Sequence, residues 1–320
     1  ESRIMLSNSA ESFRQKLCNH VIFTLVLLAA GLVSCQSSSD RADTRSSPPV
    51  VEIKAVDYAF SSPDTVQSGW ITLQMTNKGK EHHLFVITEL PEGITYADFH
   101  NKVAVPLDSM RTLVRKGAID TTTAQKKLAR MIPDWFPKET KPMGGVSLTA
   151  PGRTAKTTLK LKPGNYVMEC YVRTEEGRFH FLRGMEKPLV VTKDSTEALA
   201  PQADMSISLS KGQMKADTLV SPGSHTIAVH FGKKAKTDPL YLYNQHLHLA
   251  RLENETSPEE LADWMKWDPV MPSPVDFIGG PQSMLDGNTA YMHVDLTPGR
   301  YAWVLGNPPK EGDIQPFIVN

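Results

Sequence analysis

The sequence carries no net charge: Lys plus Arg number 35 and Asp plus Glu number 35. With no global field to draw in a polyanion, nucleic-acid binding is excluded as a reading. Long apolar runs are lacking as well. The stretch from Val21 to Val33 covers thirteen mostly apolar residues, too few to cross a bilayer comfortably. There is no Gly-x-Ser-x-Gly elbow for nucleophilic hydrolysis. No His-x-His pair occurs beyond His246-Leu247-His248, so clusters of paired imidazoles are missing. Cysteine is scarce, with Cys18, Cys35 and Cys170 the full set. What is present is 320 residues at 40% hydrophobic content, with 23 Pro and 20 Gly. Short apolar runs lie between turn signals. That is enough core for two domains, and the pattern predicts that the bulk is all-β.

The N-terminal stretch reads as an address. Arg14 and Lys16 precede the apolar run, which ends in Leu32-Val33-Ser34-Cys35. That ending resembles the lipobox of bacterial lipoproteins. The resemblance implies a signal peptide over residues 1–35, lipidation at Cys35 and a membrane anchor through that lipid. Residues 36–49, Ser-rich and charged, then form a flexible tether. The expected location is the bacterial cell envelope, on the periplasmic side or at the outer membrane. Gln36 after the cysteine is compatible with the latter. Removal of Cys18 and lipidation of Cys35 leave Cys170 as the only thiol, so no internal disulfide is expected. An unpaired thiol in an oxidising compartment needs burial, catalysis or a metal to explain it.

Beyond the tether the chain repeats itself. Val66-Gln67-Ser68-Gly69 and Val220-Ser221-Pro222-Gly223 each open an alternating run: Ile71, Leu73 and Met75 in one, His225, Ile227 and Val229 in the other. His83 precedes Ala97 by fourteen positions, and His248 precedes Ala262 by fourteen. The pairs Gly144-Gly145 and Gly279-Gly280 each end nineteen positions before the turn glycine of Pro163-Gly164-Asn165-Tyr166 or Pro298-Gly299-Arg300-Tyr301. These matches predict two copies of one sandwich, at 50–193 and 205–320, joined by the polar linker Lys193 to Asp204. The first copy carries about thirty extra residues before its Gly-Gly pair. Leu107, Met110, Leu113 and Val114, then Leu128, Met131 and Ile132, recur there at helical spacing, which predicts a helical cover whose methionines serve as core.

In the first copy, Tyr166, Met168 and Cys170 share one face of a predicted strand. His180 follows ten positions later and Met185 five beyond it, before Pro188-Leu189-Val190-Val191 returns as another strand. This run resembles the C-terminal copper loop of cupredoxins, the blue copper proteins. Asn77-Lys78-Gly79-Lys80-Glu81-His82-His83 matches the place of that family's upstream histidine. The resemblance implies two tandem cupredoxin-like Greek-key sandwiches. It also implies one copper ion held by Cys170, His180, Met185 and one of His82 or His83. Alignment to small cupredoxins favours His82 and the internal repeat favours His83. On a strand the two face opposite ways, so only one can reach the metal. Nine residues separate Cys170 from His180, more than the family usually has. The second copy has Leu305 in place of Cys170 and neither His nor Met in Gly306-Asn307-Pro308-Pro309, so it is expected to lack a complete site. His246, His248, Met292 and His293 read there as ordinary strand residues.

A thiolate, two imidazoles and a weak axial thioether form a site that suits both Cu(I) and Cu(II). The leading expectation is a membrane-anchored one-electron carrier with an unidentified redox partner, with Phe181, Leu182 and Gly184 forming an apolar docking patch over His180. Other readings are a copper-delivery lipoprotein that exchanges metal with a donor or acceptor in the envelope, or an interaction module with a vestigial site. No separate catalytic constellation is expected.

Overall fold

The structure is a computed structural model that describes residues 47–234, 245–252, 256–265, 273–306, 309–310 and 312–320. The expected signal peptide, Cys35 and most of the tether lie outside the described residues. So do Asn307 and Pro308 of the second copy's turn. Residues 45–320 form one compact unit.

The unit is all-β with a helical insertion, and among the described residues seventeen strands make up its cupredoxin-like sandwiches. In the first half these are β1 (Val50–Val56), β2 (Ala59–Ser61), β3 (Thr65–Asn77), β4 (His83–Glu89), β5 (Lys141–Thr149), β6 (Thr154–Leu161), β7 (Gly164–Glu169) and β8 (Glu186–Ser195). The second half holds β9 (Met205–Ser210), β10 (Gln213–Lys215), β11 (Leu219–Val220), β12 (Gly223–Phe231), β13 (Leu247–Leu252), β14 (Val275–Gly279), β15 (Thr289–Leu296), β16 (Gly299–Leu305) and β17 (Ile314–Val319). One face of the first sandwich runs β2-β1-β3-β6, and its counterpart in the second runs β10-β9-β12-β15. The opposite face is β8-β7-β4-β5 with the start of β3 beside β8, echoed by β17-β16-β13-β14 with β11 beside β17.

Alternation sorts the side chains. On β3, Ile71, Leu73 and Met75 are buried in the sandwich, and on β12 so are Ile227, Val229 and Phe231. Each such apolar side chain contributes about 2 kcal/mol by leaving water. Tyr166 and Tyr301 brace the same corner in each half, their hydroxyls donating to the carbonyls of Lys162 at 2.7 Å and Thr297 at 2.9 Å.

The two halves are joined at both faces. β6 pairs with β15 from Lys156↔His293 to Thr158↔Tyr291, and β5 meets β14 at Thr149↔Ile278. Around the Gly-Gly pairs, Ser147 N–H donates to Gly280 O at 2.8 Å and Gly144 N–H to Ser283 O at 3.0 Å. Gly145 has φ +145°, and a Cβ there would stand 2.1 Å from the Phe85 carbonyl oxygen; Gly280, at φ +132°, would meet Leu247 O at 2.2 Å. The second glycine of each pair is therefore a point where backbone crosses backbone too closely for any side chain.

The longer stretch before the first Gly-Gly pair holds three helices and one irregular turn. They are α1 (Tyr96–Phe99), a π-helical turn (His100–Ala104), α2 (Val105–Arg115) and α3 (Thr121–Met131). Leu107, Met110, Ala124 and Leu128 pack together between α2 and α3, with Leu113, Val114 and Ile132 against them. Met131 departs from the helical stripe expected of it and is 49% exposed.

The repeat's internal register also needs correction. In the first half Val86 pairs with Glu169, five residues past the turn glycine, while in the second half His248 pairs with Val304, again five past it. His248 thus stands where Val86 does, and buried Gln245 stands where His83 does. The gap-free match of His83 to His248 is off by three residues. With Val86 matched to His248, Ala97 of α1 lies eleven positions on in the first half and Ala262 of α4 (Pro258–Trp264) fourteen on in the second, and the equal spacing from the two histidines concealed that difference.

Candidate metal centre

The first histidine element is built by a turn. Asn77 Nδ2 donates to the carbonyls of Glu81 and Thr149, each at 2.8 Å, and Gly79 N–H donates back to Asn77 Oδ1 at 2.9 Å. A Cβ on Gly79 would lie 2.2 Å from Asp57 Oδ1 and 2.6 Å from His83 Nε2. Glycine lets the loop close onto both groups. His83 begins β4 and is fully buried.

The second element is β7, which sends Tyr166, Met168 and Cys170 into the core. The long loop after Cys170 does not gape. It folds into a small hairpin, with Arg173 bridged to Phe179 and Thr174 N–H donating to Arg178 O at 2.8 Å. The chain then returns so that Phe181 N–H donates to Cys170 O at 3.2 Å, and a 3-10 turn carries His180–Arg183. Met185 N–H donates to His180 O, and Cys170 N–H to Met185 O, each at 3.0 Å. The extra length is absorbed outside the site. His180 and Met185 lie beside Cys170, both fully buried.

One ligand atom from each of His83, Cys170 and His180 lies within 4.8 Å of the others. His180 Nδ1 is 3.6 Å from Cys170 Sγ and 3.3 Å from His83 Nδ1. Each imidazole is pinned from behind. His83 Nε2–H donates to Asp57 Oδ1 at 2.7 Å, and His180 Nε2–H donates to Glu81 Oε2 at 2.8 Å. The Tyr58 hydroxyl donates to the other Glu81 oxygen at 2.6 Å, with its ring edge-on to His180 at 4.8 Å. Carboxylates on Nε2 leave the Nδ1 atoms as inward donors, the arrangement that orients metal-bound histidines. Two nitrogen lone pairs and a sulfur facing one another need a cation among them.

Without a metal, a proton fills that role. Burial pushes the Cys170 thiol up, but the His180 and His83 imidazoles outweigh it and hold the thiol at about 6. Burial pulls His180 down, yet the Cys170 thiolate and Glu81 raise it to about 9. The His180 hydrogen bond, opposed by burial, keeps the Glu81 carboxyl below its usual value. The metal-free pair is therefore thiolate and imidazolium at pH 7. Titrating the copper-free protein should show thiolate ultraviolet absorbance lost only as pH falls through about 6. In His180→Ala the midpoint should move above the ordinary thiol value. An unmoved midpoint would remove His180 as the cause.

His82 is not brought to this site. It is 5% exposed and packs edge-on against Trp264 at 5.5 Å and Phe277 at 5.7 Å, both from the second half. Burial and the neighbouring His83 lower it to about 4. Phe181 is also not where a docking patch needs it. It is 1% exposed and stacks on Phe179 at 4.8 Å. Tyr58, Glu81 and Arg183 flank His180 instead, Arg183 lying 5.0 Å over the Tyr58 ring. In the second half, His293 bonds Thr158 at 2.7 Å and Thr226 at 3.2 Å, while His248 Nδ1 accepts from Leu148 N–H at 3.3 Å.

The donor chemistry fits copper: a soft thiolate with two neutral-capable imidazoles and a thioether-bearing residue alongside. No protein-family model and no curated protein matches the chain. Among solved structures it is similar to auracyanin from the photosynthetic bacterium Roseiflexus castenholzii, at 21% identity over 46% of this chain and 98% of that one, with a TM-score of 0.28. It is similar to a multicopper oxidase at 13% identity, over 85% of this chain and 88% of that one, TM-score 0.24. A copper nitrite reductase from Nitrosomonas europaea gives 13% identity, 86% and 94% coverage, and a TM-score of 0.23. Likenesses at this level carry no functional argument, which rests on the donor geometry. The fold is cupredoxin-like, and its first half gathers a donor set of copper type.

Proposed function

We propose that this chain is a lipid-anchored protein of the bacterial cell envelope that carries one electron at a mononuclear copper centre. His83, Cys170 and His180 would hold the ion, with the Met185 thioether as a further donor. The observation that supports this reading is the convergence of two carboxylate-backed imidazoles on one buried thiolate. Bound copper supplies one-electron chemistry between its two oxidation states. The protein's part is to keep the donors still. Asp57 and Glu81 stop the rings from turning, and the backbone bonds among Cys170, His180 and Met185 fix the loop, so little has to move when charge changes.

His83, Cys170 and His180 are all 0% exposed, which favours a carrier over copper delivery, since handing the ion to another protein requires access for incoming ligands. Docking to a redox partner then uses the polar edge of Tyr58, Glu81 and Arg183. The full chain with Cys35→Ala should bind one copper and show an intense visible band that bleaches and returns on reduction and reoxidation. Failure to bind copper would overturn the centre, and a band that does not cycle would overturn the carrier role.

Anchoring is supported by the Leu32-Val33-Ser34-Cys35 sequence after its short apolar run. Among the described residues no helix is long and apolar enough to cross a membrane. Cells fed labelled fatty acid should label the chain, and Cys35→Ala should lose the label and leave the membrane fraction. Label retained in that variant would rule out lipidation at Cys35.

A further inference from the structure

Two glutamates meet on the far face of the sheet that carries Cys170. Alternation along β7 sends Cys170 inward and Val167 and Glu169 outward, where Val167 packs with Phe99, Val103 and Phe136 beneath the helical insertion. Glu169 is the direct cross-strand partner of Glu186 on β8. Glu169 is 0% exposed and Glu186 8%. One oxygen of each is held: the Tyr171 hydroxyl donates to Glu169 Oε2 at 2.9 Å, and the Tyr96 hydroxyl donates to Glu186 Oε2 at 3.3 Å. His100 Nδ1 bonds that same Glu186 oxygen. The other two oxygens, Glu169 Oε1 and Glu186 Oε1, are buried with no hydrogen-bond partner. Like charges directly opposite on paired strands repel, and buried carboxylates are normally paired or bound to metal. No direct hydrogen bond between the two carboxylates relieves this pair. His100 comes from the π-helical turn, and its side chain remains 31% exposed.

We propose that Glu169, Glu186 and His100 form a second cation site, separate from the one at Cys170, for a divalent ion that takes oxygen and nitrogen donors, of the Mn2+ or Zn2+ class. The cation takes the place of the proton between His100 and Glu186 and draws the two free Oε1 atoms toward itself. Tyr96 and Tyr171 hold the remaining oxygens from outside. Glu169 immediately precedes Cys170 and Glu186 immediately follows Met185, so the helical insertion closes this site directly behind the thiolate. The proposal does not depend on copper at Cys170.

The probe is Mn2+ alone, which a thiolate site serves poorly, added to the full chain and followed by equilibrium dialysis with metal analysis. The parent chain and its Cys170→Ser/His83→Gln variant, which lacks two donors of the other site, should each bind one equivalent and melt at a higher temperature with it. Glu169→Gln/Glu186→Gln, whose amides keep the shape, should weaken binding at least about a hundredfold and lose the thermal shift; His100→Ala, partly exposed, should cost at least about tenfold. Absence of a bound equivalent in the parent chain would overturn the site, as would binding undiminished in the double Gln variant. A double Gln variant more stable than the metal-treated parent, with no metal bound by either, would identify an acid pair holding a proton and would equally overturn it.

Discussion

His83→Ala is expected to weaken copper binding by well over about a hundredfold, beyond what loss of an outer hydrogen-bond partner costs, while His82→Ala leaves the affinity nearly unchanged. The two residues are adjacent, of the same type and both buried, so the contrast isolates direction. His83 points its Nδ1 at His180 Nδ1 across 3.3 Å and braces its Nε2 on Asp57. His82 points the other way, into Trp264 and Phe277. Its loss leaves a hole beside those rings and should destabilise the protein by about 2 kcal/mol, within the ordinary range for a buried truncation. Competition titration against a chelator reads the affinity and thermal unfolding reads the stability. Equal loss of affinity in both variants would mean that a different donor set holds the ion.

Cys170→Ser should abolish the intense visible band and leave the fold intact. A serine hydroxyl has nearly the same shape but offers no thiolate, and at neutral pH it is not ionised, so the charge donation that colours and tightens the site disappears. The fold survives because the substituted atom sits just past the end of β7, where backbone bonds to Met185 and Phe181, not the sulfur, close the loop. Circular dichroism should be unchanged, and retained copper should give only weak absorption. An intense band persisting in Cys170→Ser would assign it to a donor other than the thiol. Global unfolding of the variant would show the sulfur to be structural.

The loop from Cys170 to Met185 was legible because strand alternation and short spacing are local properties. The extra residues before His180 made its geometry hard to foresee from spacing alone. They fold on themselves at Arg173 and Phe179 and rest against the helical insertion, where Phe179 N–H donates to Asp108 Oδ1 at 3.3 Å. Asp57 and Glu81 were not legible as partners of the histidines. Asp57 lies 26 positions before His83 in a turn between β1 and β2, and only the sandwich brings them together. Glu81 carried a weak signal, as a carboxylate in the same short loop as His83. The repeat pointed to His83 through an alignment that does not hold, since His248 matches Val86. Periodicity locates strands well, but it cannot see that matched points on strand and helix lie eleven positions apart in one half and fourteen in the other. Phe181 illustrates the same limit. Its apolar character was plain, but whether it faces water or Phe179 was settled by packing across the loop.

Both faces of the sandwich continue unbroken from one half to the other, through β6–β15 and β5–β14. Two separate subunits meeting at such a seam would come apart on dilution, and each would then bare strand edges able to recruit other chains. Here a single stretch around residues 193–204 ties the halves together, so the local concentration of one beside the other stays high however dilute the protein becomes. The half without a thiolate therefore acts as a permanent partner, covering edges that the metal-bearing half could not safely leave open, and the pair should unfold in one step at a temperature independent of protein concentration.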